Sequence, residues 1–253
     1  MNVRYLSFSF LLLSCVAYTA LPAGASTSDS APSVVIAPRR IVLVRTGRVA
    51  RDFPERKRAV VLYPVIRGPK NSEVLNKIRA LLDFKNIFGS SLEEYREDAW
   101  LTDFGYKVNY NRNYILDITF TQSGVGAYPD TQTKHFAINL KTGELLKAAD
   151  AFNSDALDQL AYQVNQMLQV EIKKIIKDNP DIKGDADQLF GNLEFKVSNL
   201  DDFSVSNRGV TFLYDAGFPH VVQAVEPDGR YFFSYAQLKP YIKRGGPLGV
   251  FIR

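Results

Sequence analysis

The sequence has little cysteine, histidine and tryptophan, and each scarcity limits the chemistry that the protein can perform. Its 253 residues include one Cys, two His and one Trp. Because Cys15 is the only cysteine, a chain that loses its first 25 residues can form neither disulfides nor cysteine-ligated metal sites. The two histidines, His135 and His220, lie far apart in sequence and form no H-E-x-x-H motif. We therefore expect no metal and no cofactor.

Motifs for nucleophilic catalysis and for dinucleotide binding are also missing. No serine lies in a G-x-S-x-G turn. The segment Gly124-Val125-Gly126 lacks both the third glycine and the following helix of a dinucleotide-binding loop. From these absences we assign no catalytic residue.

An export signal is predicted at the N-terminus. Residues 1–25 combine one positive charge, a mainly apolar stretch and the small residues Ala23 and Ala25. This pattern predicts a signal peptide that is cleaved after Ala25. The alternative is a lipoprotein, since Leu12-Leu13-Ser14-Cys15 resembles a lipobox in which Cys15 is acylated. No later stretch is long enough to cross a bilayer, so we expect no transmembrane helix in the mature chain.

The rest of the chain is predicted to form one exported domain. Residues 26–37 begin with small polar side chains, which favour a flexible tether. Residues 38–253 contain enough apolar material for a sizeable core, as 46% of the whole chain is hydrophobic. Eukaryotic secreted domains are often rich in disulfides, so we expect a bacterial protein, located in the periplasm or outside the cell.

Positive charge is concentrated near the start of this domain. Residues 38–70 hold ten Lys and Arg side chains but only two carboxylates, Asp52 and Glu55. This segment can attract an anionic polymer or lipid headgroups of the envelope, or it can protect edge strands from aggregation. The whole chain carries only +4, which does not indicate binding to nucleic acid.

Hydrophobic periodicity predicts an α+β fold. The predicted helices are a shorter one capped by Asn71 or Ser72 and a longer one that opens at Ser154 or Asp155 and ends before Pro180. The predicted strands are Ile41–Val44, Ala59–Ile66, Tyr106–Tyr110, Tyr114–Phe120, Lys134–Leu140, Leu193–Val197, Val210–Tyr214 and Tyr231–Tyr235. Because helices and strands do not alternate regularly, we expect an antiparallel sheet with two main helices packed on it.

One loop is the best candidate for a functional site. The segment Tyr214-Asp215-Ala216-Gly217-Phe218-Pro219-His220 leaves a predicted strand through a Gly/Pro turn. Asp215 and His220 can form an acid/base or metal-ligand pair, or His220 can simply bond to the loop backbone. His135 lies within a predicted strand, where we expect a half-exposed cross-strand position. The candidate binding residues are Tyr128, Asp215, Phe218, His220 and Tyr241.

Several motifs resemble those of an exported bacterial domain of unknown function. In order, they are Tyr63-Pro64-Val65-Ile66-x-Gly68-x-x-Asn71, Tyr110-Asn111-x-Asn113, Gly126-Ala127-Tyr128-Pro129, Asn139-Leu140-Lys141-Thr142-Gly143-Glu144 and Asp150-Ala151-Phe152. The domain occurs in the extracellular part of a lysozyme-sensing anti-sigma factor and in the N-terminal region of a secreted peptidoglycan deacetylase. In those proteins it is an accessory or binding module without assigned catalytic residues.

Two functions follow as hypotheses. The first is a non-enzymatic exported module that binds a protein or a glycan of the cell envelope. The alternative is an envelope hydrolase that acts on peptidoglycan or polysaccharide through the Asp215/His220 loop. The hydrolase requires His220 and a carboxylate within hydrogen-bonding distance of each other in a concave pocket.

Overall fold

The structure, a computed structural model, describes residues 33–68 and 72–253. The predicted signal peptide, the predicted lipobox at Cys15 and most of the predicted tether lie outside the described residues. Within the described part of the chain, no helix combines the length and apolarity needed to cross a membrane.

Within the described residues, six strands form the larger of two sheets, in the order β1-β2-β3-β4-β5-β6. They are β1 (Val35–Val44), β2 (Arg58–Arg67), β3 (Leu101–Arg112), β4 (Ile115–Val125), β5 (Pro129–Asn139) and β6 (Glu144–Leu145). All neighbours run antiparallel except β2 and β3, which are parallel and pair only where Val60 and Val61 meet Asp103 and Phe104. The expected antiparallel pairing is thus confirmed except between β2 and β3, which are parallel.

The first strand begins earlier than the sequence predicts. Residues 35–37, assigned to the tether, belong to β1 because they pair with 65–67 of β2. Pro64, predicted to lie in an edge strand, is opposite Pro38 in this ladder. It lies in the part of β2 that pairs with β1 alone, so its missing N–H removes no bond to β3.

The hairpin between β3 and β4 is confirmed, with a shift of its turn. The predicted turn covered residues 111–113, whereas the strands pair up to Arg112 and Ile115. The two turn residues, Asn113 and Tyr114, have φ values of 53° and 60°. Two consecutive positive φ values define a type I′ turn, whose twist matches that of the flanking strands.

A second sheet of three antiparallel strands replaces the single sheet that the sequence predicts. It consists of β7 (Phe203–Val205), β8 (Gly209–Leu213) and β9 (Arg230–Ser234). The predicted strand Leu193–Val197 is not a strand. The Leu193 carbonyl instead accepts a hydrogen bond from the Gln169 side chain, and the Phe195 N–H donates to the Asn165 side chain. Helix side chains thus satisfy backbone groups that would otherwise need a neighbouring strand.

The two longest helices are those predicted from the sequence. The described helices are α1 (Gly47–Asp52), α2 (Ser72–Leu81), α3 (Phe84–Phe88), α4 (Leu92–Glu97), α5 (Ala148–Ala151), α6 (Leu157–Asp178), α7 (Ala186–Phe190) and α8 (Tyr235–Leu238). Short 3₁₀ turns cover Pro54–Arg56, Ser154–Ala156, Pro180–Asp185, Val197–Asp201, His220–Val225 and Pro247–Ile252. The buried face of α6 consists of Leu160, Ala161, Val164, Leu168 and Ile172, as its periodicity predicts.

The described residues form two hydrophobic cores, and β4 contributes to both. Leu116, Ile118 and Phe120 face the core beneath α2, α3 and α4. Ile115, with the opposite side-chain direction, faces the core that contains α6 and the three-stranded sheet. The two main helices therefore pack in different cores, which corrects the prediction that both pack on one sheet.

Candidate functional site

The predicted loop brings two of its candidate residues into contact. His220 opens a 3₁₀ turn, and its ring centroid lies 5.0 Å from that of Tyr128 in the loop between β4 and β5. Both side chains are exposed, with Tyr128 at 65%. Phe218 points the other way and packs against Phe190, with ring centroids 5.6 Å apart. The loop thus offers an exposed aromatic pair that is anchored through Phe218.

Asp215 does not act as the partner of His220. Its Oδ1 accepts a hydrogen bond of 2.8 Å from the Gly217 N–H, which closes a turn at a glycine with φ of +68°. Within residues 33–68 and 72–253, no hydrogen bond or ion pair joins Asp215 to His220. Nor does any group of three metal-ligating side chains occur in that part of the chain. Asp215 and His220 therefore do not form a dyad.

Tyr241 lies elsewhere and is half-buried against the core of α6. Its carbonyl accepts a hydrogen bond from the Asn153 N–H, beside an isolated bridge between Phe152 and Ile242. These contacts fix the C-terminal segment to the end of α5. They give Tyr241 no contact with Tyr128 or His220.

The sequence analysis missed a buried polar cluster around Asp117 of β4. Its fully buried carboxylate accepts hydrogen bonds from His135 Nε2 at 2.8 Å and Asn109 Nδ2 at 2.7 Å. It accepts two more from the second sheet, from the Val205 N–H at 2.5 Å and the Ser204 hydroxyl at 3.2 Å. A buried carboxylate with four donors is stable only while all partners are in place. Asp117 therefore links the two sheets.

His135 belongs to this cluster and is more buried than expected. Its side chain is 7% exposed rather than half-exposed, because β7 and its flanking residues cover it. The other ring nitrogen of His135, Nδ1, faces Asp202 Oδ1 at 3.9 Å. Desolvation raises the pKa of Asp202; His135 and Lys134 oppose this shift, and Asp215 reinforces it. A signal for the cluster was present in the sequence, since Asp117 interrupts the apolar run from Ile115 to Ile118.

A groove of about 810 Å³ lies beside β6, at one edge of the larger sheet. Its floor is apolar and its rim is charged, and its lining residues include Ala80, Leu81, Phe136, Leu145, Lys77, Glu144, Lys147 and Asp150. Gly143 has a φ of +78°, and a Cβ there would lie 2.8 Å from the Val74 carbonyl oxygen. This glycine thus lets α2 approach the turn before β6 and form a wall of the groove.

The groove continues into a second hollow of about 250 Å³. Both share Glu144, Leu145 and Asp150, and the second is closed by the C-terminal turn at Gly245 and Gly246. Together they form an elongated depression along an edge strand. Sequence reasoning did not find it, because its walls come from segments more than 160 residues apart.

The basic segment is divided between structural and exposed side chains. Arg45 is 1% exposed, and its guanidinium donates to the carbonyls of Tyr95, Asp98, Arg56 and Leu101 at 2.5–3.1 Å. Arg56 donates to the Val125 carbonyl at 2.6 Å. These two arginines hold loops together and are not free to meet a partner. The remaining described cations of the segment, which include Arg39, Arg40, Arg51, Lys57 and Arg58, are exposed.

Comparison with known proteins gives a fold but no activity. No protein-family model matches the sequence, and no curated protein is significantly similar to it. A crystal structure of a DUF3298 family member from Bacteroides fragilis is 14% identical, with a TM-score of 0.56, over 88% of this chain and 99% of that one. A DUF3298 family protein from Pseudomonas aeruginosa is 13% identical, with a TM-score of 0.51, over 84% of this chain and 94% of that one.

At this level of identity the likeness concerns the fold alone. Both neighbours belong to a family defined as a domain of unknown function, which agrees with the kind of bacterial domain that the sequence motifs suggest. The likeness to the anti-sigma factor and the deacetylase stays a prediction. The chain thus has a fold found in DUF3298 proteins of two bacteria.

Proposed function

We propose that this protein is a non-enzymatic binding module of the bacterial cell envelope, exported to the periplasm or the cell exterior, and that its ligand is a segment of another protein. The groove beside β6 carries this proposal. It is the largest cavity described above, and it combines an apolar floor with a charged rim. Binding sites typically have this composition, since apolar area provides affinity and a few polar groups fix orientation.

The shape of the groove favours an extended protein segment over a glycan. β6 is the last strand in the order of the sheet, so a segment that occupies the groove runs beside an edge strand. Leu81, Phe136 and Leu145 offer aliphatic and aromatic surface to alternate side chains of such a segment. A glycan would leave much of this apolar floor without a matching surface.

The alternative hydrolase has less support. It requires His220 beside a carboxylate, whereas His220 contacts Tyr128 and the Asp215 carboxylate binds the Gly217 N–H. The aromatic pair of Tyr128 and His220 is better suited to an accessory contact with a ligand than to proton transfer.

A groove-filling variant tests the proposal. Ala80 is an exposed helical residue that lines the groove, so Ala80→Arg places a long side chain across the floor without disturbing a core. Ala236→Arg is a matched control, an exposed helical alanine that does not line the groove. The probes are a phage-displayed random peptide library, lysozyme and soluble peptidoglycan fragments, each tested against all three proteins.

We expect selected peptides or lysozyme to bind the wild type and Ala236→Arg, and to bind Ala80→Arg at least about tenfold more weakly, the loss expected from removing about 1.4 kcal/mol of contact. If only the peptidoglycan fragments bind, the ligand is a glycan and not a protein segment, which contradicts the proposal. A wild type that binds none of these probes, or an Ala80→Arg variant of unchanged affinity, would overturn the proposal.

A further inference from the structure

A block of aliphatic side chains is exposed on the outer face of β1 and β2. The register pairs Arg40 with Leu62, Val42 with Val60 and Val44 with Arg58. Directly opposed residues of an antiparallel ladder share a face, so these six side chains form two adjacent rows of three. Val42, Val44 and Leu62 are each 40–42% exposed, which is high for aliphatic residues within a sheet. We call these six residues the β1–β2 patch.

Arginine occupies two diagonally opposite corners of the patch. Within the described part of the chain, neither Arg40 nor Arg58 forms a salt bridge. The neighbouring helix α1 and the loop after it add the exposed cations Arg51 and Lys57, while their carboxylates, Asp52 and Glu55, form ion pairs with Arg48 and Arg56. The carboxylate nearest in the register is that of Asp103, which is level with Val60 on β3. The patch therefore combines apolar surface with an excess of positive charge.

These properties restrict what can cover the patch. A second copy of the chain would bring arginines towards arginines, which costs free energy. A polar anionic polymer would satisfy the arginines but leave the four aliphatic side chains in water. Side chains on one face of a two-stranded ladder stand side by side at one level, without the pockets in which protein partners bury their anchor residues.

We propose that the β1–β2 patch binds the surface of a bilayer that contains anionic phospholipids. Arginine guanidinium groups form bidentate hydrogen bonds with phosphate oxygens. The four aliphatic side chains then lie at the boundary between headgroups and acyl chains, as the apolar faces of interfacial segments do. This binding goes beyond the proposed function, since the patch shares no residue with the groove.

Co-sedimentation with vesicles tests the charge contribution. The probes are vesicles of phosphatidylcholine alone and of phosphatidylcholine mixed with phosphatidylglycerol. We expect binding to the mixed vesicles only, and weaker binding at 1 M salt, where the Debye length is about 3 Å. Arg40→Gln with Arg58→Gln should weaken binding by about thirtyfold, since each arginine near an anionic surface contributes about fivefold. Arg112→Gln with Arg230→Gln, on exposed strand arginines outside the patch, is the control.

A second variant separates a bilayer from other anionic partners. Val42→Thr, Val44→Thr and Leu62→Thr together keep a high strand propensity while making the patch polar. Val170→Thr with Val221→Thr is the control, at residues that are 66% and 86% exposed. Melting temperatures establish that all variants fold.

We expect the threonine variant to bind the mixed vesicles several-fold more weakly and both controls to bind like the wild type. A wild type that does not bind the mixed vesicles overturns the proposal. The proposal is also overturned if the arginine variant loses binding while the threonine variant binds like the wild type. Charge alone then explains the attraction, and the partner is an anionic polymer or an acidic protein. A failure of either kind leaves the groove experiment unaffected.

Discussion

Replacement of Arg45 by methionine should destabilise the protein strongly, although Arg45 belongs to a segment whose charge suggests a binding role. Its guanidinium donates to four backbone carbonyls, those of Tyr95, Asp98, Arg56 and Leu101. These acceptors lie in α4, the residues before β3, the 3₁₀ turn before β2 and the start of β3. One side chain thus closes the end of the sheet where β1 leads into α1.

The expected loss follows from the acceptors that would be left behind. Methionine has a similar length but no donor, and each buried carbonyl that loses its partner costs about 1–3 kcal/mol. Water can reach some of the vacated sites, so we expect a total of about 3–5 kcal/mol, as measured when one partner of a buried charged group is removed. Desolvation lowers the pKa of Arg45; Asp98 opposes this shift and Arg56 adds to it.

Urea unfolding at 25 °C measures this loss as a change in the free energy of unfolding. Arg48→Met is the matched control, since the Arg48 side chain is 87% exposed and pairs with Asp52, one helical turn away. It should change stability by less than about 0.5 kcal/mol. Arg45→Lys, which keeps the charge but has fewer donors, should fall between the two. If Arg45→Met were no less stable than Arg48→Met, the four hydrogen bonds would not be holding these loops.

Further predictions concern the core, the polar cluster and export. Asp117→Asn places an amide N–H₂ among donors and should lower the free energy of unfolding by about 2–4 kcal/mol; an unchanged urea midpoint would contradict the role of Asp117 in joining the sheets. Leu168→Ala, at a fully buried position, should cost about 2–5 kcal/mol, and a constant melting temperature would show that this face of α6 is not in a core. Desolvation raises the pKa of Asp202 in the folded state, so its ionisation opposes folding above the ordinary carboxyl pKa. Because the side chain is 61% exposed, solvent weakens this effect, and Asp202→Asn should raise the melting temperature at pH 7 only slightly. This gain should disappear as the pH falls below about 4, and a lower melting temperature at pH 7 would refute it. Mass spectrometry of the mature protein should find its N-terminus after Ala25, whereas an acylated Cys15 would establish the lipoprotein alternative.

The features that could be predicted from sequence are those with long, regular patterns. Helix α6 has 22 residues, so its apolar stripe repeats over six turns and its end is marked by Pro180. The β3–β4 hairpin combines two alternating strands with an asparagine in the turn, although the pattern began the turn two residues too early. In both cases local residues determine the structure.

The division into two sheets could not be predicted, because it depends on contacts between distant residues. β7 has only three residues, too few to show a period, and Leu193–Val197 has a strand-like pattern but forms its hydrogen bonds with Gln169 and Asn165 of α6. The positions of charged residues in the sequence also do not show which of these side chains are buried and which face solvent. Arg45 and Arg40 lie five residues apart in the same basic segment, yet one is buried among carbonyls and the other is exposed.

The candidate site residues show the same limit. Loop composition suggested Asp215 as the partner of His220, whereas the His220 ring contacts Tyr128, which is 92 residues away in sequence. The sequence analysis looked for an acid/base pair close together in sequence, because a catalytic site needs such a pair. A binding contact needs only exposed side chains. Proximity in sequence was therefore the wrong criterion for this loop.

The order of strands in the larger sheet separates the two proposed binding surfaces. The β1–β2 patch lies at one edge of the sheet, and the groove beside β6 lies at the other. Between them, β4 is buried on both faces, where Leu116 packs in one core and Asp117 bonds to the second sheet. A strand held on both sides resists bending, so occupation of one edge has little mechanical effect on the other. We therefore expect that a ligand in the groove and a lipid surface on the patch can be bound at the same time, since the two surfaces lie at opposite ends of the strand order.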